Sequence, residues 1–323
     1  MRDIFSEGLL YLDLLELYGS SYAVAELCGV AQSNVFRGAS ACSKLLNLGL
    51  TKDRSAGLYR IERNQDVQRD LRRLNQRLRA RENGQLRTVG PDVVFPAAMP
   101  MSQASLLRRL PSRWDDPLMS LDFLERGLLD LVVVHSAAVA AQLQWRGGAR
   151  RSDLYVPVAP FMVSELAACN VLVSGSRHHS FFQKPVSPSE LPTQSIFCSD
   201  LLAMEPRQSR LPPCCPAVCP GEGVISDRFQ QLLQSSPDAL LLISDLELKL
   251  LRPCLDDGAV MVQPLEPSPP HQLLLVTVPA LVTEPLHQQL TQLLRGTIKD
   301  AAYAAQNLLE SFPSNRYDHL AQG

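Results

Sequence analysis

Residues 32–37 carry the side chains of this sequence best suited to specific recognition. Gln32, Asn34 and Arg37 are of the types that hydrogen-bond to base edges in the DNA major groove. Ser33 lies between them, and Phe36 adds a large apolar group fit for a thymine methyl or for a core. Ser33, with Lys44 in the same segment and Lys52 and Arg54 beyond it, offers hydroxyl and cationic groups suited to phosphate oxygens. Solvated polar residues would look similar one at a time, so the elements that hold them decide between the readings.

The segment 19–50 reads as two short helices joined by a tight turn. Ala23, Leu27, Val30, Val35 and Leu45 fall where a helix-turn-helix needs internal contacts. Gly29 sits at the bend, where a positive φ is free of steric penalty for glycine alone. Ser20 or Ser21 caps the first helix. An apolar helix over 7–18 supplies the packing partner, with Asp13 and Glu16 expected on its exposed face. A hairpin follows, with its tip at 54–57 and a short alternating strand at 58–61. This arrangement places the helix at 32–46 outermost and Lys52 and Arg54 on a wing beside it.

Charge supports a polyanion-binding head. From Arg37 to Arg81 twelve Lys and Arg stand against four Asp and Glu, a local charge of +8 in a chain whose net charge is −2. Residues 64–82 read as one long polar helix in which Val67, Leu71, Leu74 and Leu78 recur at spacings of 4, 3 and 4. That is an a/d seam able to pair two subunits, and a homodimer or homotetramer is expected from it. Asn83-Gly84 ends the helix and marks a domain boundary near residue 85.

Beyond that boundary short apolar runs alternate with helical stretches, which predicts parallel α/β sheets. Strands are expected at 92–95, 129–134, 154–158, 170–173, 194–197, 239–243, 259–262 and 273–278. Helices are expected at 102–110, 118–126, 223–234, 246–251 and 284–312. The Pro-rich segments 206–220 and 264–270 read as loops. Ligand groups in such a body come from loops after strand ends, where helix N-termini favour anions. The candidates are Ser102 and Gln103, His135 and Ser136, Ser199, and Gly221 in the Gly221-Glu222-Gly223 turn.

Length favours two or three domains. No apolar run is long enough for a membrane span, and the acidic, polar first residues argue against a signal peptide, so a cytoplasmic location is expected. Disulfides are therefore not expected among the eight cysteines. Cys214, Cys215 and Cys219 cluster in a Pro-rich loop but lack the paired spacing of a zinc site. His178-His179 reads as an exposed loop pair rather than a metal site. The sequence holds no nucleophile elbow, phosphate loop, zinc-protease motif or dinucleotide fingerprint, so it gives no support for an enzyme, a cofactor or a metal.

Residues 19–61 resemble the winged helix-turn-helix of LysR-type transcriptional regulators. The resemblance rests on Gly19-Ser20, Ala23, Ala25, Val30, Gln32, Val35, Arg37 and the Leu48-Gly49-Leu50 approach to the wing. It continues more weakly through the 64–82 helix, matching the family's subunit-pairing linker helix, and through the 124–133 helix-to-strand element. The fold class it implies is α/β: a winged-helix N-terminal domain at 1–62, a linker and dimerisation helix at 63–84, and a two-lobed, periplasmic-binding-protein-like α/β body at 85–323. Lobe I would take 85–160 and 265–312, and lobe II 161–264. The function implied is sequence-specific regulation of transcription, with double-stranded DNA and a small effector in the interlobe cleft as partners.

Several residues depart from the family pattern. Ala31 replaces a capping serine, a loss of about 1 kcal/mol at the helix start. Ser33 stands where proline is common, and Phe36 replaces a small polar residue. Gly38 inside the helix is expected to weaken it by about 0.5–1 kcal/mol relative to alanine. The span from Phe95 to Leu121 leaves a short first lobe. These departures keep a second reading open, a degenerate regulator acting as a protein-interaction module without DNA or effector.

Overall fold

A computed structural model of the chain describes residues 6–53, 58–81, 85–91, 94–95, 107–109, 117–136, 155–182, 195–198, 217–218, 225–256, 258–264 and 271–311. The head comprises α1 (Ser6–Tyr18), α2 (Ser21–Cys28) and α3 (Gln32–Leu45), followed by the antiparallel hairpin β1 (Leu50–Asp53) and β2 (Leu58–Ile61). The Ser20 hydroxyl accepts from the Ala23 amide and starts α2, and Gly29 ends it at φ 63°, as the sequence predicts. Ala31 precedes α3 without a side-chain cap.

The inner face of this head differs in detail from expectation. Val24, Val35, Ala39 and Cys42 are fully buried, whereas Leu27 and Leu45 are exposed. Gly38 also has a packing role. A Cβ there would stand 2.8 Å from the Tyr11 ring, and one at Gly8 would stand 2.9 Å from the Gly38 carbonyl oxygen. The two glycines let α1 and α3 approach closely, which opposes the propensity cost at Gly38.

The linker helix is α4 (Gln65–Arg79). The body begins at β3 (Leu86–Val89), not at 92–95, where Val94 and Phe95 form a turn with the Phe95 ring in the core. Next come β4 (Leu107–Arg109), α5 (Pro117–Glu125), β5 (Leu131–His135), β6 (Val156–Val158) and β7 (Phe161–Cys169). Residues 107–109, expected in a helix, are a strand, and β7 had no counterpart among the expected strands. With β13 (His271–Thr277) these strands make a six-stranded sheet in the order β4-β3-β5-β13-β7-β6.

The second sheet has five strands in the order β10-β9-β11-β8-β12. They are β8 (Val171–Ser176), β9 (Ser195–Cys198), β10 (Ala217–Val218), β11 (Ala239–Ser244) and β12 (Val260–Pro264). β10 lies inside the stretch expected to be only loop. α6 (Ile225–Ser235), a 3₁₀ segment at Asp245–Leu251 and the short α7 (Arg252–Asp256) cover this sheet, and α8 (Pro285–Ser311) closes the described chain. Both sheets are mixed, which corrects the parallel expectation: β13 runs antiparallel to β5 and β7, and β8 antiparallel to β11 and β12. The chain passes between the sheets after Cys169 and again between β12 and β13, so 161–169 belongs to the first sheet.

Alternation within the strands divides the core. In β5 and β13, Leu131, Val133, Leu273 and Leu275 face α8, through Leu286, Leu290 and Leu294. Val132, Val134, Leu274 and Val276 face the other way, into a cluster that includes Leu124 and Leu128. That second cluster is continuous with the core of the head, through Leu12, Leu15, Val35 and Ile61. The head therefore packs on its own body. No helix among the described residues is long and apolar enough to cross a membrane.

Candidate nucleic-acid interface

The helix at 32–45 is amphipathic, and its packing fixes which face is free. Val35, Ala39 and Cys42 turn inward, leaving Ser33, Phe36, Arg37 and Lys44 exposed and Gln32 and Asn34 half-buried. Gln32 Nε2 donates to the Ser21 hydroxyl at 2.7 Å, which ties the start of α3 to α2. The Arg37 guanidinium donates to Asn34 Oδ1 at 2.8 Å, one helical turn away. That bond orders both side chains.

The hairpin stands beside this face. A cavity of about 460 Å³ between α3 and the hairpin is lined by Phe36, Lys44, Thr51, Lys52 and Tyr59. Lys52 lies over the Tyr59 ring, 5.2 Å from its centroid. The structure thus brings Phe36, Lys44 and Lys52 to one groove, with Gln32, Ser33, Asn34 and Arg37 on the same helix. Arg54 lies outside the described residues.

The helix α4 presents its faces in an unusual sense. One polar row, Gln68, Arg72 and Gln76, is buried, while Val67, Leu74 and Leu78 are 42%, 55% and 49% exposed. Leu71 is half-buried against the head core. The buried side is held by hydrogen bonds. Gln76 Nε2 donates to the Leu129 carbonyl at 2.6 Å, and Arg79 donates to the Gly127 carbonyl at 3.1 Å and to both oxygens of Asp130 at 2.7 and 2.8 Å. Gly127, at φ +77°, lets this turn come within contact of Arg72, whose Cβ would be 2.8 Å from any Cβ placed there.

Asp13 and Glu16, expected to face solvent, are buried at the centre of an ion network. Arg72 donates from Nε to Asp13 Oδ1 and from Nη2 to Glu16 Oε2, both at 2.7 Å. Arg87 of β3 reaches Asp13 Oδ2 at 3.1 Å, and Arg126 pairs with Glu16. Gln68, with its amide oxygen turned inward, accepts from Arg72 at 2.6 Å. Burial alone would raise the Asp13 pKa, but Arg72, Arg87 and Arg79 outweigh it and hold the carboxyl below the ordinary carboxylate value. Burial and the neighbouring Arg79 push Arg87 down to about 10, so it stays cationic at neutral pH. The network joins head, linker helix and body. The sequence signal for it is two acids three apart on an otherwise apolar helix, but their partners lie far along the chain.

Of the candidate effector residues, His135 and Ser136 are described. His135 ends β5, fully buried, with Nε2 3.8 Å from Cys169 Sγ. The Ser136 hydroxyl accepts from the Gln272 amide at 3.1 Å and so joins the ends of β5 and β13. Ser102, Gln103, Ser199 and Gly221 lie outside the described residues, as do Cys214, Cys215 and Cys219. His179 is buried, not exposed: its Nδ1 accepts from the Phe181 amide at 3.0 Å, and its ring packs on Phe181 and Phe182.

No family model matches the sequence, and no curated protein matches it. Solved structures do. A full-length OxyR variant from Pseudomonas aeruginosa superposes with a TM-score of 0.54 at 13% identity, covering 93% of this chain and 95% of that one. A probable transcriptional regulator from the same organism matches with a TM-score of 0.47 at 15% identity, over 90% of this chain and 95% of that one. The regulatory domain of MetR from Neisseria meningitidis, a LysR family regulator, matches with a TM-score of 0.46 at 15% identity, over 66% of this chain and 94% of that one. The first superposition covers nearly the whole chain. That superposition gives this chain the fold of full-length OxyR, the kind of fold that the resemblance carried by residues 19–61 implies.

Proposed function

We propose that this protein is a sequence-specific DNA-binding regulator of transcription, working in the cytoplasm as a homo-oligomer. The observation that carries the reading is the outer face of α3. Gln32, Asn34 and Arg37 are held in order there, and Lys44 and Lys52 flank them across a groove. In this reading α3 enters the major groove, Gln32, Asn34 and Arg37 meet base edges, and Ser33, Lys44, Lys52 and Arg54 meet phosphates. Phe36 contacts a thymine methyl.

The inverted α4 supports the pairing of two copies. A helix that buries Gln68, Arg72 and Gln76 and exposes Val67, Leu74 and Leu78 leaves an apolar stripe that the described residues do not cover. A second copy of the same helix covers it, with Leu71 completing the seam, and sets the spacing of the two heads. The effector is a small molecule in the cleft between the two sheets, with Ser136, His135 and the loops at 102–103, 199 and 221 as its surroundings. Its binding shifts the population of head arrangements. The interaction-module reading drew on Gly38, which also stands where α1 approaches α3.

Fluorescence-anisotropy titration of the full chain with labelled genomic fragments tests the proposal. Phosphate-mediated binding predicts an affinity that falls steeply between low and moderate salt, with a linear log–log slope. A flat salt response overturns it.

A further inference from the structure

A cavity of about 580 Å³ opens where the wing, α4 and α5 meet, with no residue of the second sheet or of α3 in its lining. Its volume falls within the range of small-molecule sites, about 300–1,000 Å³. Buried Tyr59, Ile61 and Phe123, with half-buried Met119, provide apolar wall. At the inner end Arg72, Glu16 and Arg126 are already engaged with one another. The charges nearer solvent are not balanced in this way. Arg60 has one loose pair, with Asp53 at 3.8 Å, and Arg69 has no ion pair among the described residues. These cations belong to the wing and the linker helix. On the body side, Asp122 shares Arg126 with Glu16, and Glu125 has no ion pair among the described residues. Burial and the nearby Glu125 charge raise the Asp122 pKa, the mark of an acidic wall short of positive charge.

We propose that this junction cavity is a binding site for a small zwitterion with an apolar side chain, an α-amino acid or a dipeptide, its carboxylate on Arg60 and Arg69 and its ammonium on Asp122 and Glu125. A plain anion meets the two acids, and a diamine meets the two arginines, so each is disfavoured by one wall. A zwitterion satisfies both, and its side chain lies on Tyr59, Ile61 and Phe123. Such a ligand bridges the head and linker to the body, and so braces the joint that the buried ion network already forms.

The test is calorimetric titration of the full chain, without DNA, with L-leucine, L-phenylalanine and the dipeptide Leu-Phe, alongside N-acetyl-leucine, leucinamide, succinate and putrescine. Because no DNA is present, the outcome is independent of the regulator reading. Binding of at least one zwitterion at millimolar concentration or tighter is expected, with about tenfold or greater weakening when either terminal charge is masked. Arg69→Gln and Glu125→Gln, both at exposed positions, should each weaken it about tenfold while leaving the thermal midpoint of the free protein in place. The proposal is overturned if no zwitterion binds, if succinate or putrescine binds as well as the zwitterions do, or if both variants bind as the parent does, which would put the ligand elsewhere on the chain.

Discussion

Arg72 on the linker helix and Asp13 on the first helix of the head form a buried ion pair, Nε to Oδ1 at 2.7 Å, across 59 positions of sequence. Both side chains are removed from water, and both have further partners: Arg87 on Asp13, Glu16 and Gln68 on Arg72. This is what a buried charge requires, since desolvation costs several kcal/mol per ion unless every donor and acceptor is met. Removing one member leaves the others uncompensated. Asp13→Asn or Arg72→Met should lower the unfolding free energy by about 3–5 kcal/mol in urea denaturation. The double variant should cost less than the sum of the two. Simple additivity would mean that the pair is not a unit.

The same network sets an acid limit. The folded pKa of Asp13 lies below its unfolded value, so its contribution is complete above about pH 4 and is lost as pH falls through the folded pKa. Asp13→Asn should flatten the most acidic part of a stability–pH profile. An unchanged profile would contradict the assignment.

His287 acts at milder acidity. It is fully buried on α8, with no hydrogen bond to either ring nitrogen among the described residues and with its ring against Tyr155 at 5.8 Å. Burial pushes its pKa down to about 4. The unfolded chain therefore takes up a proton below about pH 6.5 while the folded chain does not, and stability falls from there toward pH 4, by up to about 3 kcal/mol. His287→Gln should remove that part of the pH dependence. Thermal midpoints measured between pH 7 and pH 4 decide the matter.

Gly38→Ala separates packing from propensity. Helix propensity alone predicts a gain of about 0.5–1 kcal/mol. The 2.8 Å approach of a new Cβ to the Tyr11 ring predicts instead a loss of about 1–3 kcal/mol, as α1 is pushed off α3. A stabilised variant would show that α1 yields easily there.

The exposed stripe on α4 makes a prediction about assembly. Leu74→Glu and Leu78→Glu place like charges on a surface that the described residues leave open, so the fold should survive while the oligomer dissociates. Sedimentation at fixed protein concentration should show smaller species than the parent protein gives. An unchanged distribution would place the subunit contact elsewhere.

The head was legible in sequence because its determinants are local. Gly29 marks its own turn, Ser20 its own cap, and Val35 a repeat that a single helix records. The exposed apolar stripe of Val67, Leu74 and Leu78 on α4 was legible for the same reason. The buried ion network was not. Asp13 and Glu16 interrupt an apolar helix, and charge on such a helix ordinarily faces water; their partners at 72, 87 and 126 are brought near only by the fold. Strand β3 was missed because Arg87 and Thr88 look like surface residues, yet both are buried. Strand β7 was missed because Phe161–Cys169 shows no clean alternation and carries Ser164 and Glu165 midway, where Arg295 and Gln272 receive them. The parallel expectation failed because apolar runs record burial, not strand direction.

The most direct test of the regulator reading is the binding of Arg37→Ala to the operator and to unrelated duplex at one salt concentration. Loss of a base contact predicts a drop of about 1–3 kcal/mol in operator affinity, with little change on unrelated DNA, so that the specificity ratio collapses. An unchanged ratio would contradict the placement of α3 in the major groove.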